Sequence, residues 1–337
     1  MTHYYWPIVF LLLPLMSYAS DFNPKGPLTF RNQNPIYLEF LNLTPARAVT
    51  LPKGEISLRM DNTYSNIFEQ GFGNNTAVLL DTELLRTAFH LDAGIYEKME
   101  VGIEVPFLHF QRGFLDSFLQ NYHNAFGFPN AGRETVANDG FAYILTEGGA
   151  TVYNVPMTSY GLGDITLDFK HNFLDEGDRS PAAAWLFYLK LPTGNRQNGM
   201  GSGNPDFGFG AAMEKSYERW HGYFNLAYFV NGGHAAIQKY MNDIYFSYVT
   251  GGEFSISKPV SIVAQLNGGT PLLKGTGMIQ WDWPPMDLQA GLKGSHPLQK
   301  GEGPSLEWQL GFSEDLIADG PSIDITTFGS IGVRFGI

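Results

Sequence analysis

Cysteine is absent from this 337-residue chain, which rules out disulfides and thiolate metal sites. Charge is scarce as well: 16% of the residues are Asp, Glu, Lys or Arg, and 33 acidic against 21 basic residues give a net charge of −12. No basic tract occurs, so nucleic acid is not an expected partner. No apolar run reaches the roughly 20 residues that a membrane-crossing helix needs. Neither Gly-x-Ser-x-Gly nor His-Glu-x-x-His is present, and Gly201-Ser202-Gly203 opens no helix that would make it a phosphate cradle. The chain therefore does not read as an enzyme, and no cofactor or metal is expected.

Glycine and aromatics are abundant, with 39 Gly, 26 Phe and 17 Tyr. The last stretch sets Ile325, Thr327, Gly329, Ile331, Val333, Phe335 and Ile337 on one side and Thr326, Phe328, Ser330, Gly332 and Arg334 on the other. A period of two means a β-strand, because successive side chains point to opposite faces. The same alternation recurs in about twelve segments: Ile56, Leu58 and Met60 against Arg59 and Asp61; Phe89 and Leu91 against Arg86, His90 and Asp92; Ile165 and Leu167 against Asp164 and Asp168. A soluble β-sandwich also alternates, but it has no need of so many uninterrupted apolar faces opposite mid-strand charges. The pattern predicts an all-β fold: a transmembrane antiparallel up-and-down barrel of about 12 strands, apolar outward and polar inward.

The domain plan follows. Residues 1–19 read as a signal peptide, with a short apolar run (Ile8–Leu15) and small residues at Ser17 and Ala19, although the n-region lacks Lys and Arg. Residues 20–53 are rich in Pro and Asn without clean periodicity and are expected to be a periplasmic lead-in. The barrel is expected over 54–337, in the outer membrane of a Gram-negative cell. Short links near Glu97, 217–219 and 257–259 suit periplasmic turns, and longer Gly/Asn-rich links at 193–205, 231–243 and 269–284 suit extracellular loops. Segment 141–153 has the look of a hairpin inside the longest loop.

That loop, 111–161, breaks the rhythm. Leu115, Phe118, Leu119, Tyr122 and Phe126 recur at helical spacing, which predicts an amphipathic helix over 114–126 followed by Pro129 and Arg133. Together with Asp116 and His123 these residues are the expected plug or gate of the barrel; the alternatives are a cap packed on the barrel and a helix lying in the membrane interface. Asp116 and His123 are seven apart and share a helix face, though as an acid–base pair they are outweighed by a bracing role.

The spacing of Leu115-Asp116, His123, Phe126-Gly127-Phe128-Pro129 and Arg133 resembles a family of bacterial outer-membrane proteins known only as a domain of unknown function, over about residue 35 to the C-terminus. Gly161-Leu162-Gly163-Asp164-Ile165-Thr166, Lys170 and Leu189-Lys190-Leu191-Pro192-Thr193-Gly194-Asn195 are similar to barrels linked to phenol degradation, which implies a channel for hydrophobic or aromatic compounds. In such proteins the terminal strand addresses the barrel assembly machinery and usually ends in an aromatic. Here Phe335 precedes Gly336-Ile337, a departure in that signal.

Lumen-facing charges are expected at Arg59, Arg86, Asp92, Glu104, Asp164, Asp168, Lys170, Lys190, Glu253, Lys293 and Arg334. In a narrow barrel mixed charges brace the interior or select solutes. Three functions stay open: a passive channel or uptake pore for small hydrophobic, neutral or cationic solutes, gated by 111–135; a closed structural or lipid-contacting barrel; and a lipid-modifying enzyme using His123 or His171. Outer-membrane lipid and a small solute are the expected partners.

Overall fold

The computed structural model describes residues 22–127, 130, 132–299, 303–316, 323 and 325–337, without the side chains of 158–159. The expected signal segment lies outside the described residues. Fifteen strands are described: β1 (Glu55–Phe72), β2 (Thr76–Tyr96), β3 (Met99–Gln111), β4 (Ala142–Glu147), β5 (Ala150–Asn154), β6 (Thr158–Leu162), β7 (Ile165–Leu174), β8 (Ala182–Leu191), β9 (Asp206–Tyr217), β10 (Trp220–Val230), β11 (Ile244–Ser255), β12 (Val260–Gly269), β13 (Met286–Pro297), β14 (Ser305–Asp315) and β15 (Ile325–Gly336). Twelve of them, all but β4, β5 and β6, close into an antiparallel barrel. Closure is made by β15, which pairs with β14 on one side and with β1 on the other, from Glu55↔Gly336 to Asn66↔Ile325. The expected all-β barrel is the observed fold.

The two ends of the barrel differ. At the turn end, β2–β3 and β9–β10 are joined by two-residue links, Tyr96↔Met99 and Tyr217↔Trp220. Lys98 and Glu218 accept the left-handed backbone there, at φ 64° and 51°, because tight hairpins need positive φ to match the strand twist. At the loop end β1 and β2 overshoot the other strands, and the β4–β5 hairpin extends the overshoot by pairing Thr76–Asp81 with Ala142–Glu147.

The outer face keeps the predicted phase. Leu58, Phe89, Leu91, Trp185, Phe187, Phe209, Ile262, Leu310 and Ile331 are exposed. Aromatic rings run across neighbouring strands, Phe173 to Trp185 at 4.6 Å, Trp185 to Phe209 at 5.4 Å and Phe209 to Phe187 at 5.0 Å. In water such a surface would be a large exposed apolar patch; against lipid it is the band that a spanning barrel requires.

One domain boundary changes. Residues 22–53, expected as a lead-in outside the barrel, run through its interior, and Leu28, Phe30, Ile36, Tyr37, Leu38, Phe40, Leu41 and Leu43 are all buried. Their partners are the inward side chains of the overshoot, Leu80, Leu84, Leu108 and Phe110, with Phe229, Tyr245 and Val249 from the far wall. A Pro- and Asn-rich stretch has no period because it joins no sheet; its apolar residues are spent on the lumen.

Candidate functional site: the occupied lumen

The inner segment enters at the turn end, turns over near the loop end and descends to β1. On the rising limb the amides of Lys25 and Gly26 donate to the Glu253 carboxylate at 3.0 Å. Leu28 exchanges two hydrogen bonds with Gln265, at 2.9 and 3.0 Å. The Thr29 amide donates to Gln309 Oε1 at 3.1 Å. The top is a single helical turn, α1 (Pro35–Leu38), with Pro at its start and the Asn34 side chain accepting from the Ile36 amide, a sequence-encoded cap. Asn34 also donates to Glu69 of β1 at 3.2 Å.

The descending limb repeats the device on the opposite wall. Leu41 donates to Asp206 at 2.9 Å, Ala46 to Asn225 at 2.6 Å, Ala48 to Glu214 at 3.0 Å and Leu51 to Glu100 at 2.6 Å. Arg47 pairs with Glu214 at 2.6 Å. Inward polar side chains thus supply the hydrogen bonds that an irregular buried backbone would otherwise lack. Such contacts are individually modest, so the segment is held by many weak tethers rather than by a ladder.

Most of the wall charges have a partner of opposite sign or a backbone acceptor. Lys190, 2% exposed, sits 2.9 Å from Asp164 and 3.0 Å from Asp206, and donates to Ser202 Oγ and to the carbonyl of Glu39. Ser202 of the Gly201–Gly203 stretch therefore serves as a ligand of Lys190. Arg59 meets Asp61 at 2.9 Å, Lys170 meets Glu100 at 2.8 Å, and Arg86 meets Glu104. Asp92 and Asp168 approach each other across Gly102, where a Cβ would stand 2.6 and 2.5 Å from their oxygens. Lys293 donates to the carbonyl of Pro27 at 2.6 Å, and Arg334 lies 3.4 Å from Glu55. Among the described residues no group of three or more His, Asp or Glu is arranged to hold a metal ion.

Between the two limbs and the wall, toward the turn end, lies a cavity of about 1250 Å³. Lys25, Arg31, Arg47, Arg59, Lys170, Lys258, Lys293 and Arg334 line it against Glu55, Asp92, Glu100, Glu104, Asp168 and Glu307. Basic residues therefore outnumber acidic ones in this chamber, although the chain as a whole is acidic.

Toward the loop end Glu39 is the polar centre of the apolar packing. Tyr143 and Tyr153 both donate to its Oε1, at 2.9 and 3.0 Å, and His234 Nε2 lies 3.3 Å from Oε2. Burial pushes the Glu39 carboxyl up to about 8, against the pull of the two tyrosine hydroxyls and Lys190. Burial, helped by Arg196 and Lys190, pushes His234 down to about 4.

The loop expected as plug or gate sits elsewhere. Its helix, α2 (Asp116–Phe126), buries Asp116, Leu119 and His123 against the outer face of the overshoot. Phase decides this. In the unbroken β1–β2 register Ser65↔Leu84 faces the lumen, so Asn66↔Glu83 faces out. Asn66 donates to Asp116 at 3.0 Å, and Glu83 accepts the amides of Phe114 and Leu115 at 2.8 and 2.7 Å. Arg133, 1% exposed, pairs with Asp116 at 2.9 Å, donates to Asn66 at 2.7 Å and stacks 5.0 Å above outward Phe68. His123 packs beside Asn130 at 3.2 Å, and Phe118, Tyr122 and Phe126 lie along one flank. Asp116 and Arg133 are brought together as a clasp outside the wall. Arg133→Ala strands a buried carboxylate and is expected to loosen this loop by about 2–3 kcal/mol. Limited proteolysis would then cut within 112–141 while the heat-modifiable barrel band is kept; an uncut loop contradicts the clasp.

The residues that sequence reasoning missed are on the inner segment and its tethers: Glu39, Asn34, Arg47, Asp206, Gln265, Gln309 and His234. The usable signal was Ile36-Tyr37-Leu38-x-Phe40-Leu41-x-Leu43, an apolar density that a solvated tail does not need.

Outward apolar bands, a polar wall and twelve strands closed on themselves define a transmembrane β-barrel of the bacterial outer-membrane type. The chain belongs to the family described as protein of unknown function (DUF3187), whose model matches residues 7–337. No curated protein matches it. Among solved structures it is similar to the COG4313 outer membrane channel from Pseudomonas putida F1, at 15% identity and a TM-score of 0.53, covering 87% of this chain and 100% of that one. The toluene transporter TodX of Pseudomonas putida is aligned over 91% of this chain and 93% of that one, at 9% identity and a TM-score of 0.37.

Proposed function

We propose that the protein is a channel of the Gram-negative outer membrane for small, polar, overall neutral solutes, and that residues 22–53 are its gate. The reading is carried by one observation: a segment that fills the lumen is held by scattered side-chain hydrogen bonds above a chamber of about 1250 Å³ lined by charges of both signs. Interspersed charges of both signs leave little net field to favour either ion sign. The likeness in fold to a channel supports the same class. The turn end faces the periplasm and the loop end the exterior, as in single-chain barrels with both termini inside.

The test is conductance in planar bilayers. The mature chain is expected to stay mostly closed, and deletion of residues 24–48 is expected to give a steadily open pore. Equal silence of both would favour a closed structural barrel instead. The lack of native Cys allows a second arm, in which Thr29→Cys with Gln309→Cys, joined by a short thiol-to-thiol cross-linker that replaces the reach of the Gln309 side chain, pins the rising limb (Gln309 Nε2 lies 2.8 Å from Thr29 Oγ1). Cross-linking is expected to abolish openings, and the double variant without cross-linker to keep them.

A further inference from the structure

We infer that α2 is a lipid-seated helix: its aromatic flank enters the acyl-chain boundary of the outer leaflet beside the barrel. The inference rests on the barrel spanning a bilayer and not on the channel reading. Three flanks of α2 are distinct. Asp116, Leu119 and His123 face the barrel wall. Phe118 and Phe126 are 61% and 67% exposed, and each stacks or tilts onto Tyr122 between them, at 6.5 and 4.9 Å. Ser117, Asn121 and Asn124, on the remaining flank, are exposed and polar.

The orientation of these flanks is fixed by what touches them. At the entry to the helix Phe114, 67% exposed, meets the ring of Tyr64 at 5.8 Å. Tyr64 continues the outward row Leu58, Met60, Asn62 of β1, so the ridge prolongs the barrel's own lipid-facing surface. On the polar side Asn138 bonds Ser117 and Gln120, at 2.9 and 2.8 Å, and the chain then climbs to β4, which pairs with the tip of β2. The aromatic flank thus points down toward the hydrocarbon band, and the polar flank points up toward water. Rings of this kind settle at the boundary of a bilayer, where a helix with one apolar flank lies in plane. Exposed Arg112 beside Phe114 adds a cation at headgroup level. The buried Asp116–Arg133–Asn66 clasp holds the helix at that height.

Single cysteines at Phe118, Asn121 and Leu91, each carrying an environment-sensitive fluorophore, test this in phosphatidylethanolamine/phosphatidylglycerol vesicles containing shallow-brominated phosphatidylcholine. Leu91 lies on the outward face of β2 and reports insertion of the barrel alone. Blue-shifted, bromine-quenched emission is expected at 118 and 91, with unquenched emission at 121. Quenching at 91 without quenching at 118 overturns the lipid seat and leaves the barrel standing. Equal quenching at 118 and 121 overturns the in-plane orientation. Silence at all three sites overturns the spanning barrel, and the lipid seat with it.

Discussion

Replacing Lys190 by Met is expected to destabilise the folded barrel by about 4–5 kcal/mol, the upper range for breaking a buried ion pair from one side. Among the described residues the ammonium is the one cation paired with both Asp164 and Asp206, and its removal leaves two carboxylates desolvated and facing each other. Burial of an unpaired charge costs far more than the pair contributes when intact. Asp206 also accepts the Leu41 amide, and Lys190 holds the Glu39 carbonyl, so the same change loosens the descending limb. The measurement is the urea midpoint of the detergent-folded protein, followed by the gel shift between heated and unheated samples. Adding Asp206→Asn is expected to recover part of the loss, because an amide keeps the acceptor for Leu41 without the charge. A midpoint equal to that of the parent would mean that water, rather than Lys190, solvates these carboxylates.

The second large effect is a bell-shaped pH dependence of seating of the inner segment. With Glu39 raised to about 8 when seated, against about 4.5 in water, the seated state holds its proton more tightly. Its advantage is complete below about pH 4.5 and is lost as pH rises toward 8. His234 acts on the other limb. Depressed to about 4 from 6.5, it stays neutral when seated, so its contribution is present above 6.5 and fades as pH falls toward 4. Among the described residues Tyr143, Tyr153, Lys190, Asp164 and Arg196 are the other charged or titratable groups that act on this pair. Seating should be tightest between about pH 5 and 6, and the open fraction should rise about 20-fold between pH 6 and 9, roughly two log units from Glu39 offset by about half a unit from His234. Glu39→Gln is expected to flatten the alkaline limb and to deepen the acidic one, which Glu39 otherwise offsets. An unchanged alkaline limb in that variant would take Glu39 out of the gate.

The barrel was legible because lipid imposes a rule on every second residue. Leu58, Phe89, Trp185 and Ile331 had to be apolar whatever they touched, and the strands could be placed without knowing any contact. Strand count and closure follow from that period. The inner segment obeys no such rule. Its partners are single Gln, Asn, Asp and Glu side chains spread over both walls, and Gln265 or Gln309 reads the same in sequence whether it meets water or Leu28. The helix at 114–126 was visible from its spacing, yet its position was not. An amphipathic stripe states that something is covered without naming the cover, and only the phase of Asn66 and Glu83 puts Asp116 and Arg133 on the outside of the wall.

The seats of the inner segment have a consequence for biogenesis. Leu41 waits for a residue 165 positions downstream, Leu28 for one 237 downstream and Thr29 for one 280 downstream, in the penultimate strand. The inner segment therefore cannot be fully seated before the final hairpin is in place. Complete occupancy of the bore is in that sense a certificate of completed assembly: an unfinished cylinder lacks part of its grip on the inner segment.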